Sequence, residues 1–273
     1  MKKLTILSFT LNSAVLAFAN QNAVASCADI ITAFGNAGGA AAVSAVVGTA
    51  DNGGYGLPMW VTAVDETGKV CGVINTSGQA GNANIGNYSW LGSRVISAQK
   101  ANTANAFSLN GFSISSGNLY GLTLPGGSLN NLPFSNPVDA TTAYLGDAAT
   151  FATNSDPLNN KRIGGINTFG GGLALYNSSK IKVGAIGVSG DTSCTDHAVA
   201  WKIRALLNLN HVPGGFVSGW SGTPGFSVLG DELIIDTSGN SVANTYYQVS
   251  CAHNKISNPN AGAPTGVIIT NTP

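Results

Sequence analysis

Two short segments restrict the fold of this chain more than any other feature. Residues 58–75 read PMWVTAVDETGKVCGVIN, and residues 172–188 read GLALYNSSKIKVGAIGV. Each joins two β-rich runs across a brief turn, Glu66-Thr67-Gly68 in the first and Asn177-Ser178-Ser179 in the second. Returning a strand in parallel needs a crossover of a dozen or more residues. Both segments therefore read as antiparallel hairpins, with strands at 59–64, 70–74, 173–176 and 181–188.

Helical periodicity alternates with these hairpins. Residues 27–47 carry Ile30, Ile31, Phe34, Val43 and Val46 at helical spacing, weakened by Gly35, Gly38 and Gly39. A second helix is expected over 85–107, where Leu91, Val95, Ala98 and Asn102 share a face. Ala98, Ala101, Ala104 and Ala106 keep its surface small enough to lie close against a sheet. A third helix is expected over 195–207. Helix, hairpin, helix, hairpin, helix gives an α+β domain: an antiparallel sheet flanked by helices.

Between them, residues 111–162 are rich in Gly, Pro and Asn with little periodicity. They read as a long insertion that wraps the core of a single domain, 26–273, whose core runs about 27–208. Beyond it, 209–273 forms an extension with short strands at 232–235 and 246–250 and a loose tail.

The first 25 residues are set apart. Lys2 and Lys3 precede an apolar run, Leu4 to Ala19, too short and interrupted to span a bilayer, and Ala23-Val24-Ala25 supplies a small-x-small cleavage pattern. This is the pattern of a secretory signal peptide cut before Ser26. Val24-Ala25-Ser26-Cys27 also loosely matches a lipoprotein box, but lipidation of Cys27 would strand an odd cysteine in an oxidising compartment. No later segment is apolar enough to cross a membrane. The expected location is periplasmic or secreted.

Composition narrows the partners. Charged residues are 9% of the chain, against about 25% in ordinary globular proteins. Without Lys2 and Lys3 the balance is 10 basic to 12 acidic residues, so nucleic acid and anionic membranes are poor partners. Hydrophobic content of 44% argues against disorder despite 36 glycines.

The stretch KVGAIGVSGDTSCTDHAVAWKIRALLN, residues 182–208, offers several chemistries. A phosphate-binding loop would need Lys-Ser or Lys-Thr after the last glycine, and a dinucleotide loop would need a βαβ setting; neither is present. Ser189 lacks the second glycine of a nucleophile elbow. Ser193 and Asp196 instead fit a helix capping box, and the glycines a strand-to-helix corner. On the helix that follows, Val199, Ile203, Leu206 and Leu207 point toward the sheet. His197, Trp201, Arg204 and Asn208 fall on the other face. An outward Trp in so uncharged a chain implies that this face meets a subunit, the insertion or a flat ligand.

Four cysteines, with no C-x-x-C or C-x-x-H spacing, argue against structural zinc and for two disulfides. If the first helix runs antiparallel to strand 59–64, Cys27 meets Cys71, leaving Cys194 to bridge Cys251 and staple the extension.

VTAVDETGKVCGV, SAQKANTANAF, GGGLALYN and VGAIGVSGDTSCTDHAVAW occur in that order. The set resembles the GlcG/HbpS-like family of haem-binding proteins. Matching positions are Val64-Asp65 with Gly68, Lys100 to Ala104, Gly171-Gly172, and Gly184 to Gly190 with Asp196. The resemblance implies a profilin-like fold, haem or a related tetrapyrrole as ligand, and a homo-oligomer, since several members assemble. The insertion and extension go past the family core, and the first helix lacks the histidine that ligates haem in some relatives.

Haem ligands must then come from His197, His211, His253, Met59 or a Tyr or Cys. His197 has the best setting, beside Trp201 and with Arg204 able to pair with a propionate. His211 precedes a Pro-Gly-Gly loop. The expected function is exported haem binding for storage, scavenging or sensing. Oxidative haem breakdown and an extracellular structural role are the alternatives, and no acid–base constellation for catalysis is legible.

Overall fold

A computed structural model describes residues 27–49, 52–77, 92–213, 230–236, 246–251 and 266–270. The leader, its cleavage site, residues 85–91 and His253 lie outside the described residues. The elements are α1 (Cys27–Asn36), α2 (Gly39–Val47), β1 (Trp60–Asp65), β2 (Val70–Asn75), α3 (Ser93–Phe107), β3 (Gly172–Tyr176), β4 (Lys182–Ser189) and α7 (Ser193–Leu206). The insertion contributes three single-turn helices, α4 (Tyr120–Thr123), α5 (Leu132–Ser135) and α6 (Ala140–Ala143).

The central sheet has the order β2-β1-β4-β3, and each neighbouring pair is antiparallel. This is the antiparallel sheet flanked by helices that the two hairpins require. β1 is buried along its whole length because both sheet faces are covered. Val61, Ala63, Leu173, Leu175, Ile186 and Val188 pack against α1, α2 and α7. Trp60, Val64, Val73 and Ala185 face α3, through Val95, Ala98, Ala101 and Ala104.

The approach of α3 has a specific cause. Gly172 and Gly187 are register partners on adjacent strands. A Cβ on Gly172 would collide with the Lys100 carbonyl, and one on Gly187 with the Ser97 carbonyl. The paired glycines thus form a flat patch, and the alanines of α3 match it. Within the layer, the Thr62 and Ser97 hydroxyls share a hydrogen bond of 2.6 Å.

The insertion is fastened to this layer. Arg94 of α3 forms a buried ion pair with Asp156, and its guanidinium lies 3.6 Å over the Phe151 ring. The Val70 amide donates to the Lys161 carbonyl at 2.8 Å, and the Asn160 amide donates back to Val70. The 27–47 helix divides in two at Gly38, which takes a left-handed φ of 99°.

In the extension the expected strands at 232–235 and 246–250 form, and a further strand stands where the tail is expected to be loose. β5 (Leu233–Asp236) pairs in parallel with both β6 (Gln248–Val249) and β7 (Val267–Thr270). Leu233, Ile235 and Val267 pack with Cys194, so this second sheet lies along α7. The bridges Cys27–Cys71 and Cys194–Cys251 are both formed.

Candidate functional site

α7 organises both places where ligand chemistry could occur. Its N-cap is Thr192, whose hydroxyl accepts from the Thr195 amide at 3.3 Å. The expected cap, Ser193, is the first helical residue instead. Asp196 turns back toward the strand corner, where its Oδ1 accepts from the Asp191 amide at 3.0 Å.

The other oxygen of Asp196 makes an ion pair of 2.7 Å with Lys100 Nζ, which also donates to the Val188 carbonyl at 3.1 Å. Both side chains are buried. Burial pushes the Asp196 carboxyl up to about 6, against the pull of Lys100. Above this pair lies a hollow of about 310 Å³ lined by Ser93, Phe169, Ser189, Asp191 and Ser193 among others. It adjoins a second hollow of about 340 Å³, sharing Phe169, Asp191 and Ser193 with it and adding Tyr55, Gln248 and Cys251. Phe169 and Tyr55 are 47% and 51% exposed on the rim of this groove, and the Phe169 ring stacks on Tyr120 with centroids 6.4 Å apart. The Asp191 carboxylate holds the Tyr55 segment by accepting from its amide at 2.9 Å and from Leu57 at 3.1 Å.

The structure also brings His197, Trp201 and Arg204 together. The His197 and Trp201 rings lie 6.0 Å apart, and the Arg204 guanidinium sits 4.7 Å from the Trp201 ring. This face is not outward, however. His197 and Arg204 are fully buried, and Trp201 is half-buried. The cover is the C-terminal extension rather than the insertion. Asp231 clamps Arg204 through two hydrogen bonds of 2.5 and 2.8 Å. Gly266, ahead of β7, lies so flat on Trp201 that a Cβ there would strike the indole. Burial first, then the Arg204 charge, pushes His197 down to about 3, partly offset by the Gly266 backbone. Beyond the Gly266 backbone, neither ring nitrogen has a hydrogen-bond partner among the described residues. His211 stands apart, half-buried with its Nε2 likewise unpartnered among the described residues.

The model of a family described as haem degrading protein HbpS-like matches residues 34–204, well over half of the chain. The chain belongs to the HbpS-like family. The matched segment holds the whole four-stranded sheet, and the extension lies beyond it. Two solved structures are similar at low identity. One is the Klebsiella pneumoniae protein ORFY, a DUF336 structure: 19% identity, TM-score 0.43, covering 71% of this chain and 97% of that one. The other is a PduOC:heme complex: 20% identity, TM-score 0.41, covering 67% and 95%. No curated protein matches this chain.

HbpS-like membership raises the question of where haem would fit. The His197 face supplies a neutral imidazole, a residue type that can serve as an axial ligand. As folded it does not admit a macrocycle: the extension covers the ring, and Arg204 is committed to Asp231. The groove supplies room, two half-exposed aromatic rings and a polar floor, and among the described residues no histidine or methionine lines it. Sequence reasoning missed Lys100, Phe169 and Tyr55 as groove residues. Lys100 and Asp196 both stood in quoted motifs, but nothing in the sequence pairs residues 96 apart.

Proposed function

We propose that this protein is an exported haem-binding protein that stores, scavenges or senses the tetrapyrrole. The observation that carries the reading is the HbpS-like match over residues 34–204, which spans the entire central sheet with α2, α3 and most of α7. Two disulfides among the described residues are compatible with a periplasmic or extracellular location. The groove beside Tyr55 and Phe169 is our candidate for the entry of a flat ring, because it is open and bordered by half-exposed aromatic rings.

Titrating the mature protein, residues 26–273, with hemin tests this. A saturable Soret change near one hemin per chain is the expected result, weakened in Phe169→Ala with the Tm of the variant checked alongside, since the ring stacks on Tyr120. Absence of any saturable change overturns the proposal. The family's description names haem degradation, so the titrated complex should also be incubated with a reductant. Loss of the Soret band with iron release would convert the reading from carrier to enzyme.

A further inference from the structure

The first disulfide sits in a polar setting that a plain staple does not need. Asp65 closes β1, Lys69 follows the turn at Gly68, Cys71 lies in β2, and Cys27 is the first residue of α1. In the β1–β2 register Ala63 faces Gly72 and Val64 faces Val70, so Cys71 is the extra residue of a bulge, a device that re-aims a side chain. The two sulfurs and a carboxylate oxygen of Asp65 lie within 4.8 Å of one another, and all three residues are buried. Asp65 Oδ2 is 3.7 Å from Cys27 Sγ. The Lys69 carbonyl oxygen is 3.8 Å from Cys27 Sγ and 3.5 Å from Cys71 Sγ.

These spacings are those of a tetrahedral metal site. Bonds of about 2.3 Å to sulfur and about 2.1 Å to oxygen around Zn²⁺ set sulfur and oxygen ligands about 3.6 Å apart, and two sulfurs about 3.8 Å apart. The three sulfur–oxygen separations, 3.5, 3.7 and 3.8 Å, match that edge. Once unbonded, only the sulfurs must part. The other oxygen of Asp65 is fixed: Oδ1 accepts from the Thr67 amide at 2.9 Å, the Thr67 hydroxyl at 2.7 Å and the Lys69 amide at 3.1 Å. Such outer contacts hold a ligating carboxylate in place. The Lys69 ammonium, 3.6 Å from Oδ2 on a side chain one-third exposed, is free to swing into water. Cys71 borders a hollow of about 360 Å³ whose walls include the exposed Ile31 and Asn154, so the cluster is reachable from outside.

We infer that in the thiol form of the protein Cys27, Cys71, Asp65 and the Lys69 carbonyl make a site for one Zn²⁺, and that the ion and the Cys27–Cys71 bridge are alternative occupants of one place. The thiol form is the state through which the chain passes before the bridge closes. This site goes beyond the haem reading and does not depend on it. No local motif announces it, because its sulfurs come from residues 44 apart. On binding, two Zn–S bonds form and both thiol protons pass to solvent. Cys27 starts α1, and a helix N-terminus favours the thiolate. A disulfide oxidant reverses the occupancy. Two electrons pass to it, its sulfur–sulfur bond breaks into two thiolates, the Cys27–Cys71 bond forms and Zn²⁺ leaves.

Anaerobic titration of the mature protein, reduced with a phosphine that does not compete for metal, tests this with Co²⁺ as the spectroscopic probe and Zn²⁺ as competitor. The expected result is about one Co²⁺ per chain, with a tetrahedral d–d spectrum and a thiolate-to-cobalt charge-transfer band that Zn²⁺ erases. Absence of these bands overturns the proposal. The oxidised protein should show neither band. Loss of both in Cys27→Ser/Cys71→Ser supports the site, whereas persistence there assigns them to Cys194 and Cys251 and overturns it. Asp65→Asn keeps the shape of the side chain and should weaken Zn²⁺ binding about tenfold or more. Unchanged affinity in that variant removes the carboxylate and overturns the four-ligand site. Should the reduced chain lose its near-ultraviolet dichroism, refolding with one equivalent of Zn²⁺ decides instead. Recovered dichroism supports the site, and no recovery overturns it.

Discussion

At His197 the chain keeps an imidazole where it cannot be charged. An exposed histidine takes a proton near pH 6.5, but this one stays neutral down to about 3 when folded. Between those values the unfolded chain binds the extra proton, so stability is full above pH 6.5 and falls as pH drops toward 3. At pH 4 the loss attributable to this residue is about 3 kcal/mol. Denaturant titrations of His197→Leu should therefore show a flatter acid limb than the parent, whatever the change at pH 7. Asp196 acts in the opposite sense. Its folded carboxyl is raised to about 6, so it binds its proton first in the folded state and stability falls as pH rises from 3.8 to 6. Lys100→Met would leave that carboxylate buried without its cation. We expect a loss of about 3–5 kcal/mol at neutral pH, measured by urea unfolding and partly recovered below pH 6. Helical spacing was enough to place His197, Trp201 and Arg204 on one face. It could not show that the face is closed, because Asp231 belongs to an aperiodic segment 27 residues from Arg204.

Among the elements, α3 and the two glycines beneath it illustrate what spacing reveals and what it conceals. The alanines of 98–106 announced a helix that lies close to a sheet, and it does. The evenly spaced glycines of β4 looked like parts of a sharp corner. Gly187 is instead a contact point within the strand, with the Ser97 carbonyl directly above it. Gly187→Ala should cost about 1–3 kcal/mol by forcing α3 outward, readable as a lower Tm with the disulfides intact. The hairpins were legible because period-two patterning and turn chemistry are both local. β7 was not, since a four-residue parallel strand carries no pattern that distinguishes it from loop.

Over the whole molecule, two sheets are each tied to a helix by one disulfide. The loops closed are 44 and 57 residues long, which on chain-entropy grounds makes each bridge worth about 4 kcal/mol against the unfolded state. Their removal should nevertheless differ in place. Replacing Cys194 and Cys251 by serine should raise amide exchange in β5–β7 and leave the protection of β1–β4 near its parent value. Replacing Cys27 and Cys71 should instead loosen α1 against β2. The separation of the two bridges also sets a sequence of events in time. A polypeptide emerging amino-terminus first presents Cys71 long before Cys251, so the core can oxidise and pack while the last strands are still absent. Whatever occupies the face of α7 during that interval does so before the molecule is able to close over it.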